Sequence, residues 1–169
     1  MATMLLAEFH KQGIDSAYMI PEFAKYHLAC GGTIKDFPSQ RFVGYSQMAL
    51  EAAVDRSSFN PIICDTCVWL GKVYTEFAGY YGHNDLPSYL KDIDQYTYDM
   101  TIFCPLPDAD GVMTDLRIHD GSQSAKIAFM IMQELKDREN VIYAPVRFED
   151  RDVWIKQLVK EWRDKNARK

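Results

Sequence analysis

The stretch Pro61-Ile62-Ile63-Cys64-Asp65-Thr66 is the most informative guide to the fold. An apolar run of this length, bounded by residues that interrupt regular structure, is typical of a buried strand. Helical spacing of apolar residues follows from Val68 onward. A buried strand that passes into a helix through two polar residues predicts one strand–helix unit of a parallel sheet.

Three further apolar runs alternate with helical patterns in the same way. Together the runs predict four strands, at Ile14–Ile20, Pro61–Cys64, Tyr98–Cys104 and Val141–Ala144. Strands that alternate with helices indicate an α/β domain with a parallel, doubly wound sheet. Ligands of such sheets bind at the carboxyl ends of the strands. Those ends are Pro21–Glu22, Asp65–Thr66, the segment after Pro105, and Pro145–Phe148.

The composition narrows the class of protein. A chain of 169 residues with 47% apolar residues is long enough for one domain, so we expect residues 1–169 to form a single unit. A net charge of -5 argues against a nucleic-acid partner. The sequence has no secretory signal, no apolar run of the ~20 residues that span a membrane, and no disulfide-type cysteine spacing. These features predict a cytoplasmic protein with no membrane partner.

Two groups of polar residues at predicted strand ends are candidates for chemistry. Asp65-Thr66 could hold Mg²⁺ or accept a proton from a substrate hydroxyl, although Asp and Thr are also common helix N-caps. Glu22, with Lys25 one turn later, could face the same crevice. The alternative for this second pair is an ordinary helix start at the surface.

The segment of about residues 105–122 (PLPDADGVMTDLRIHDGS) is long for a connection inside a compact domain, and such segments are usually functional. A mobile lid over a phosphoryl-transfer site needs an arginine to stabilise the charge on the transferred group. Arg117, with Lys126 beyond it, has this character. The alternatives are a solvated loop and, less well supported by the spacing, a calcium loop.

Cys64 and Cys67 form a C-x-x-C pair at the strand-to-helix junction. In a dithiol redox site the start of the helix lowers the pKa of the first thiol and makes it a nucleophile. Cys64, however, ends an apolar strand and is expected to point into the core. A redox protein is therefore an alternative rather than the main hypothesis.

Taken in order, these segments resemble the P-loop kinase domain of the NadR-like ribosylnicotinamide kinases and related small ATPases. The resemblance runs from about Thr3 to Trp162 and depends on five short motifs. They are Glu22–Tyr26 (EFAKY), Gln47–Leu50 (QMAL), Ile63–Thr66 (ICDT), Tyr98–Ile102 (YDMTI) and Asp115–Arg117 (DLR). It implies a three-layer α/β sandwich with a mainly parallel sheet.

The resemblance also implies an activity and a set of site residues. ATP, with Mg²⁺, would phosphorylate the 5′-hydroxyl of a nicotinamide nucleoside. Asp65 would be the base or the carboxylate on the magnesium side, and Arg117 the catalytic arginine of the lid. The other residues implied are Glu22, Lys25 and Asp115 for the substrate, and Thr66 and Lys126 for ATP.

One feature departs from that family. The pattern G-x-x-x-x-G-K-[ST], whose backbone N–H groups and lysine hold the phosphates of ATP, is absent from the sequence. We therefore expect the chain to be inactive, either because it is a shortened form of a kinase or because it is a non-catalytic module that binds a nucleotide or a protein. The missing first strand predicts a gap in the sheet, which a second copy or another partner would cover.

Overall fold

The computed structural model describes residues 1–33, 39–55, 58–77, 86–105 and 121–166. Within these ranges seven helices and four short strands alternate, which confirms the prediction of a mixed α/β chain with parallel strands. The helices are α1 (Ala2–Lys11), α2 (Phe23–Ala29), α3 (Gln40–Asp55), α4 (Leu70–Phe77), α5 (Leu86–Asp94), α6 (Gly121–Leu135) and α7 (Phe148–Asn166). The strands are β1 (Tyr18–Ile20), β2 (Ile62–Cys64), β3 (Thr101–Phe103) and β4 (Val141–Tyr143).

The strands form two separate parallel pairs. β1 pairs with β2, with Met19 opposite Ile63, and β3 pairs with β4, with Ile102 opposite Ile142. Within the described part of the chain no ladder joins β2 to β3, so the four strands do not form one continuous sheet. The prediction of one doubly wound parallel sheet in a three-layer sandwich is therefore not confirmed by the described residues.

All four predicted strands are shorter in the structure than in the sequence-based assignment, and the largest differences are at Ile14–Ile20 and Tyr98–Cys104. Residues 14–17 form a turn after α1, where Gly13 has a φ of +79° and the Ile14 N–H donates to the Phe9 carbonyl. Only glycine adopts that backbone conformation without strain. Hydrogen bonding to the end of α1 therefore replaces strand pairing until Tyr18.

One apolar cluster joins α1 and α7 to both strand pairs. Its buried members are Leu5, Phe9, Ala17, Ile155 and Val159, and the half-buried Ile63 of β2 and Ile102 of β3 pack against them. The Phe9 and Trp162 rings meet edge to face with their centroids 5.2 Å apart. The same helices therefore cover one face of both pairs.

A second cluster joins α4, α5 and α6 to the β3–β4 pair. Tyr89 is fully buried at its centre, and the half-buried Phe103 and Val141 pack against the cluster. The Tyr89 hydroxyl lies where a Cβ would stand at Gly44 in α3 and at Gly71 in α4. These two glycines let the ring sit between the helices.

No helix in the described ranges is both long enough and apolar enough to cross a lipid bilayer. Exposed apolar side chains are scattered over several elements, as on most folded proteins.

Candidate functional site

The side chains of Glu22 and Asp65 lie together at the carboxyl ends of β1 and β2. Each approaches the same cation, since Lys25 Nζ is 3.7 Å from Glu22 Oε2 and 3.6 Å from Asp65 Oδ2. The parallel pairing explains this arrangement, because Ile20 and Cys64 are register partners and the next residues of both strands leave the same edge. The structure therefore brings together two of the three side chains that the sequence predicted to share a cleft.

Both carboxylates remain accessible. The Glu22 and Asp65 side chains are each 32% exposed and the Lys25 side chain is 55% exposed. Burial raises the pKa of Glu22, the positive charge of Lys25 lowers it, and the nearby charge of Asp65 raises it again; the pKa remains above its ordinary value. Burial also raises the pKa of Tyr74, and the charge of Glu22 adds to that effect.

The capping alternative does not describe Asp65, whereas Glu22 and Lys25 do lie at the start of a partly exposed helix, as the second alternative predicted. Regular α4 begins at Leu70, and the turn before it is closed by bonds such as Leu70 N–H to the Cys67 carbonyl. Asp65 lies two residues ahead of that turn, so it is not the cap of α4. Glu22 does occupy the N-cap position of α2, but its side chain makes no capping hydrogen bond.

A buried polar network holds the two turns that carry the site. Gln47 Oε1 accepts a hydrogen bond from the Phe23 N–H at 2.8 Å, next to Glu22, and Gln47 Nε2 donates to Glu51 Oε1 at 3.0 Å. The Tyr98 hydroxyl donates to Glu51 Oε2 at 2.9 Å and accepts from the Val68 N–H at 2.7 Å. The network thus links the start of α2 to the chain just after Asp65.

Sequence reasoning missed Glu51 as part of this support. Its residue exposure is only 5%, and burial raises the pKa of its carboxyl while its hydrogen bonds lower it. The spacing of Gln47 and Glu51, four residues apart on α3, was the available signal. That spacing also fits two exposed helix residues, so the sequence alone does not distinguish the two cases.

The C-x-x-C pair does not have the electrostatics of a redox site. Burial, with the nearby charge of Glu51, raises the pKa of the Cys64 thiol and raises that of Cys67 to about 12. A nucleophilic cysteine needs a lowered pKa. Both thiols are free and half-buried, which agrees with the expectation that Cys64 points inward.

The carboxyl ends of β3 and β4 are closed by Arg151 of α7. Arg151 Nε donates to the Pro145 carbonyl at 2.9 Å, and one terminal nitrogen donates to the carbonyls of Pro105 at 3.0 Å and Val146 at 3.4 Å. The residue is only 8% exposed. This end of the fold is therefore held by backbone contacts to a buried guanidinium.

The thiol of Cys104, which follows β3, is partly buried. Burial raises its pKa, while the amino group of Met1 and Arg151 lower it and Asp65 raises it.

The remaining predicted residues differ in where they lie. Arg117 and Asp115, with most of the predicted lid, lie outside the described residues, as do Asp108, Asp110, His119 and Asp120. Lys126 Nζ lies over the Phe77 ring, 5.5 Å from its centroid, at the carboxyl end of α4. Thr66 is half-buried beside Asp65. Their proposed roles stay predictions.

The cluster can hold a small cation only in part. Two carboxylates face one position, and oxygen ligands of this kind suit Mg²⁺, which is commonly bound by one or two carboxylates together with substrate phosphates and water. Among the described residues, no group of three or more His, Cys, Asp or Glu side chains could hold a metal. No protein-family model, curated protein or solved structure matches the chain.

Proposed function

We propose that this chain is a P-loop-kinase-like α/β domain of the nucleoside-kinase type, which binds a nucleoside or nucleotide at the carboxyl ends of its strands. The layering supports the proposal. Helices α1 and α7 pack on Ile63 and Ile102, and helices α4, α5 and α6 pack on Phe103 and Val141. Parallel strands with helices packed on them, and ligands at the carboxyl ends of the strands, are the features that the proposal needs.

The observation that carries the proposal is the position of Lys25 between Glu22 and Asp65. A nucleoside brings hydroxyl groups, which donate hydrogen bonds to carboxylates. A carboxylate with a raised pKa is the better acceptor for the proton of a hydroxyl at neutral pH, and Glu22 has that property. Asp65, taken as a whole residue, is the more exposed of the two and is our candidate for the magnesium-side carboxylate.

The two proposed cofactors fit these residues unequally. Mg²⁺ fits Asp65 with Glu22, provided that phosphate oxygens and water supply the other ligands. ATP fits poorly, since the 169 residues contain no glycine-rich loop ending in Gly-Lys-Ser/Thr to hold its phosphates. Bound Mg²⁺ would neutralise phosphate charge. Without a ligand, Lys25 holds the two carboxylates close together.

Calorimetry on the full chain tests the proposal. Nicotinamide riboside, adenosine and ATP would each be titrated with and without Mg²⁺. We expect a nucleoside to bind, and Asp65→Asn and Glu22→Gln to weaken binding at least tenfold. Exposed carboxylates elsewhere provide matched controls, Asp15→Asn and Glu139→Gln, which should bind as the parent does.

An assay for transfer of the γ-phosphate on the same protein distinguishes a domain that only binds the nucleoside from one that also phosphorylates it. Binding without turnover is expected from a domain that lacks the phosphate-binding loop. Turnover at the rate of an ordinary kinase would contradict the expectation that the chain is inactive. Equal binding by the site variants and their controls would remove the nucleoside site itself.

A further inference from the structure

The two edges of β4 differ in how their backbone groups are used. On the edge that faces β3, the Asn140 carbonyl accepts a hydrogen bond and Ala144 N–H donates to the Phe103 carbonyl. In a parallel ladder the N–H and C=O groups of alternate residues point to opposite edges. The backbone groups of Val141 and Tyr143 therefore point to the outer edge of β4, away from β3.

The outer edge of β4 is open in the described part of the chain. No described strand pairs with it, and no described backbone group bonds to the outward groups of Val141 and Tyr143. Tyr143 is 57% exposed, so water reaches this edge. The strand Val-Ile-Tyr carries no charge and consists of residues that favour strands. An apolar edge of this kind is a template for pairing with another strand.

This edge is complementary to itself. Val141 and Tyr143 each present one donor and one acceptor, on either side of Ile142. A two-fold axis at Ile142 would place the β4 of a second copy antiparallel to the first. Val141 would then face Tyr143 of the second copy, and residues paired in this way exchange two N–H to C=O bonds. The two equivalent pairs would use every outward backbone group of both strands.

The exposed charges on either side of β4 fit the same axis. Asp137 lies five residues before Ile142, and Arg147 lies five residues after it. Both are exposed, and among the described residues neither has an ion-pair partner. The axis would bring the segment before one β4 to the segment after the other, so each acidic residue would approach the basic residue of the second copy. Opposite charges placed in this way fix the register of an interface.

We propose that the outer edge of β4 is a homodimer interface, in which two copies of this chain pair their β4 strands antiparallel about Ile142. Val146 and Phe148, which follow the strand, are 55% and 66% exposed and would be covered by the segment before β4 of the second copy. Specific interfaces generally bury about 1,000 Å² or more, and three paired residues alone do not supply that area. We therefore expect a dimer that dissociates on dilution.

The charges favour a second copy over a strand from an unrelated protein, because the second copy supplies an opposite charge at both ends of the paired strands. The interface is separate from the break between β2 and β3. It also does not depend on the proposed nucleoside site, whose residues follow the other strand pair.

Sedimentation equilibrium on the full chain at low salt tests the charge pairing. The parent should pass from monomer to dimer between about 1 µM and about 1 mM. Asp137→Arg and Arg147→Asp each bring like charges together and should raise the dissociation constant at least about tenfold, whereas the double variant should restore it to within about threefold. Lys160→Asp, at an exposed position of α7, is the control and should dimerise as the parent does.

The rescue by the double variant separates a lost interface from a lost fold. A parent that stays monomeric over the whole range would overturn the proposal. A double variant as weak as the two single variants would also overturn it. A monomeric parent that binds an added peptide with the sequence of β4 would assign the edge to a strand of another protein instead.

A cysteine at the axis tests the register. In an antiparallel ladder, residues opposite each other in a non-hydrogen-bonded pair have Cα atoms about 4.5 Å apart, which suits a disulfide. Ile142→Cys should therefore cross-link two copies under mild oxidation. The exposed Cys30 is first replaced, as Cys30→Ser, to remove background cross-linking.

Met19→Cys in the same background is the matched control. Met19 is the half-buried middle residue of β1, the outer strand of the other pair, as Ile142 is of β4. It should remain monomeric on a non-reducing gel. Equal cross-linking of the two variants, or none by Ile142→Cys, would overturn the proposed register.

Discussion

Both strand pairs are parallel, but they differ in the charged side chains at their carboxyl ends. After β1 and β2, the side chains of Glu22, Asp65 and Lys25 remain partly exposed, and the lysine lies close to both carboxylates. After β3 and β4, a buried arginine binds three backbone carbonyls. One end leaves its charged side chains accessible, and the other uses a buried charge to hold the backbone. The comparison supports our proposal of a ligand site at the first end and shows anchoring at the second.

The residues that support the two ends also differ in whether they leave the end of the strands accessible. The β1–β2 end is supported by a buried network, in which the Tyr98 hydroxyl donates to Glu51 and accepts from the Val68 N–H. Arg151 instead occupies the end of β3–β4 directly. Removing a supporting residue should therefore lower stability at either end, whereas only the first end should lose ligand binding.

Breaking the closed end should produce the largest effect. Arg151→Met leaves the carbonyls of Pro105 and Pro145 without their charged donor, and buried unpaired groups are costly. We expect the free energy of unfolding in urea to fall by about 4 kcal/mol. Arg163→Met on the same helix, whose side chain is 44% exposed, should cost about 0.5 kcal/mol or less. A small effect of Arg151→Met would remove the contrast between the two ends.

Removing one hydroxyl from the support of the other end should cost less. Tyr98→Phe deletes the donor to Glu51 and the acceptor of the Val68 N–H in one step. We expect a loss of about 2 kcal/mol in urea unfolding, with weaker nucleoside binding, because the turn after Asp65 is no longer held. Tyr143→Phe is the control, since Tyr143 is 57% exposed. An unchanged Tyr98→Phe variant would show that the network does not support the site.

The buried carboxylate in that network should make stability depend on pH. Burial raises the pKa of Glu51, so in the window above its unfolded pKa the folded state binds more protons than the unfolded state. The contribution of this group to stability is therefore greatest at low pH and declines as pH rises through the window. The groups facing it are Gln47, Cys64, Cys67, Tyr96 and Tyr98.

Glu51→Gln removes that titration while keeping the shape of the side chain. Urea unfolding between pH 4 and pH 7 should show the variant gaining stability relative to the parent as pH rises. Glu139→Gln, at an exposed position, should run parallel to the parent at every pH. A parent and Glu51→Gln pair with the same slope would mean that Glu51 is solvated in the folded protein.

Local sequence signals were sufficient to predict most elements. Gly13 ends α1, Pro21 follows β1 and Pro105 follows β3, and in each case the backbone preference of one residue sets a boundary. The predicted strand ends then put Glu22 and Asp65 at one edge of the sheet, where both side chains lie. That inference required only that parallel strands end on the same side.

The residues that support the two ends could not be found in this way. From the sequence, Glu51 and Arg151 would be expected at the surface of their helices, because charged side chains are rarely buried. Their burial depends on partners distant along the chain, with Tyr98 47 positions from Glu51 and Pro105 46 positions from Arg151. No local pattern contains such pairings. The sequence analysis expected a gap in the sheet but did not place it, so the separation of β2 from β3 was not predicted.

The exposed cluster of Glu22, Lys25 and Asp65 should contribute least to stability, and such a result would support its proposed role in ligand binding. Lys25→Met removes the shared cation, but exposed ion pairs contribute little, so we expect unfolding to change by about 0.5 kcal/mol. Without Lys25 the pKa of Glu22 should rise further, since Lys25 lowers it and Asp65 raises it. The folded state then holds its proton to higher pH, and the deficit of the variant should grow as pH rises from 4 to 7. Lys160→Met, exposed on α7, should show no such trend in thermal melts. A loss above about 2 kcal/mol in Lys25→Met would place the cluster among the structural contacts and reverse the comparison between the two ends.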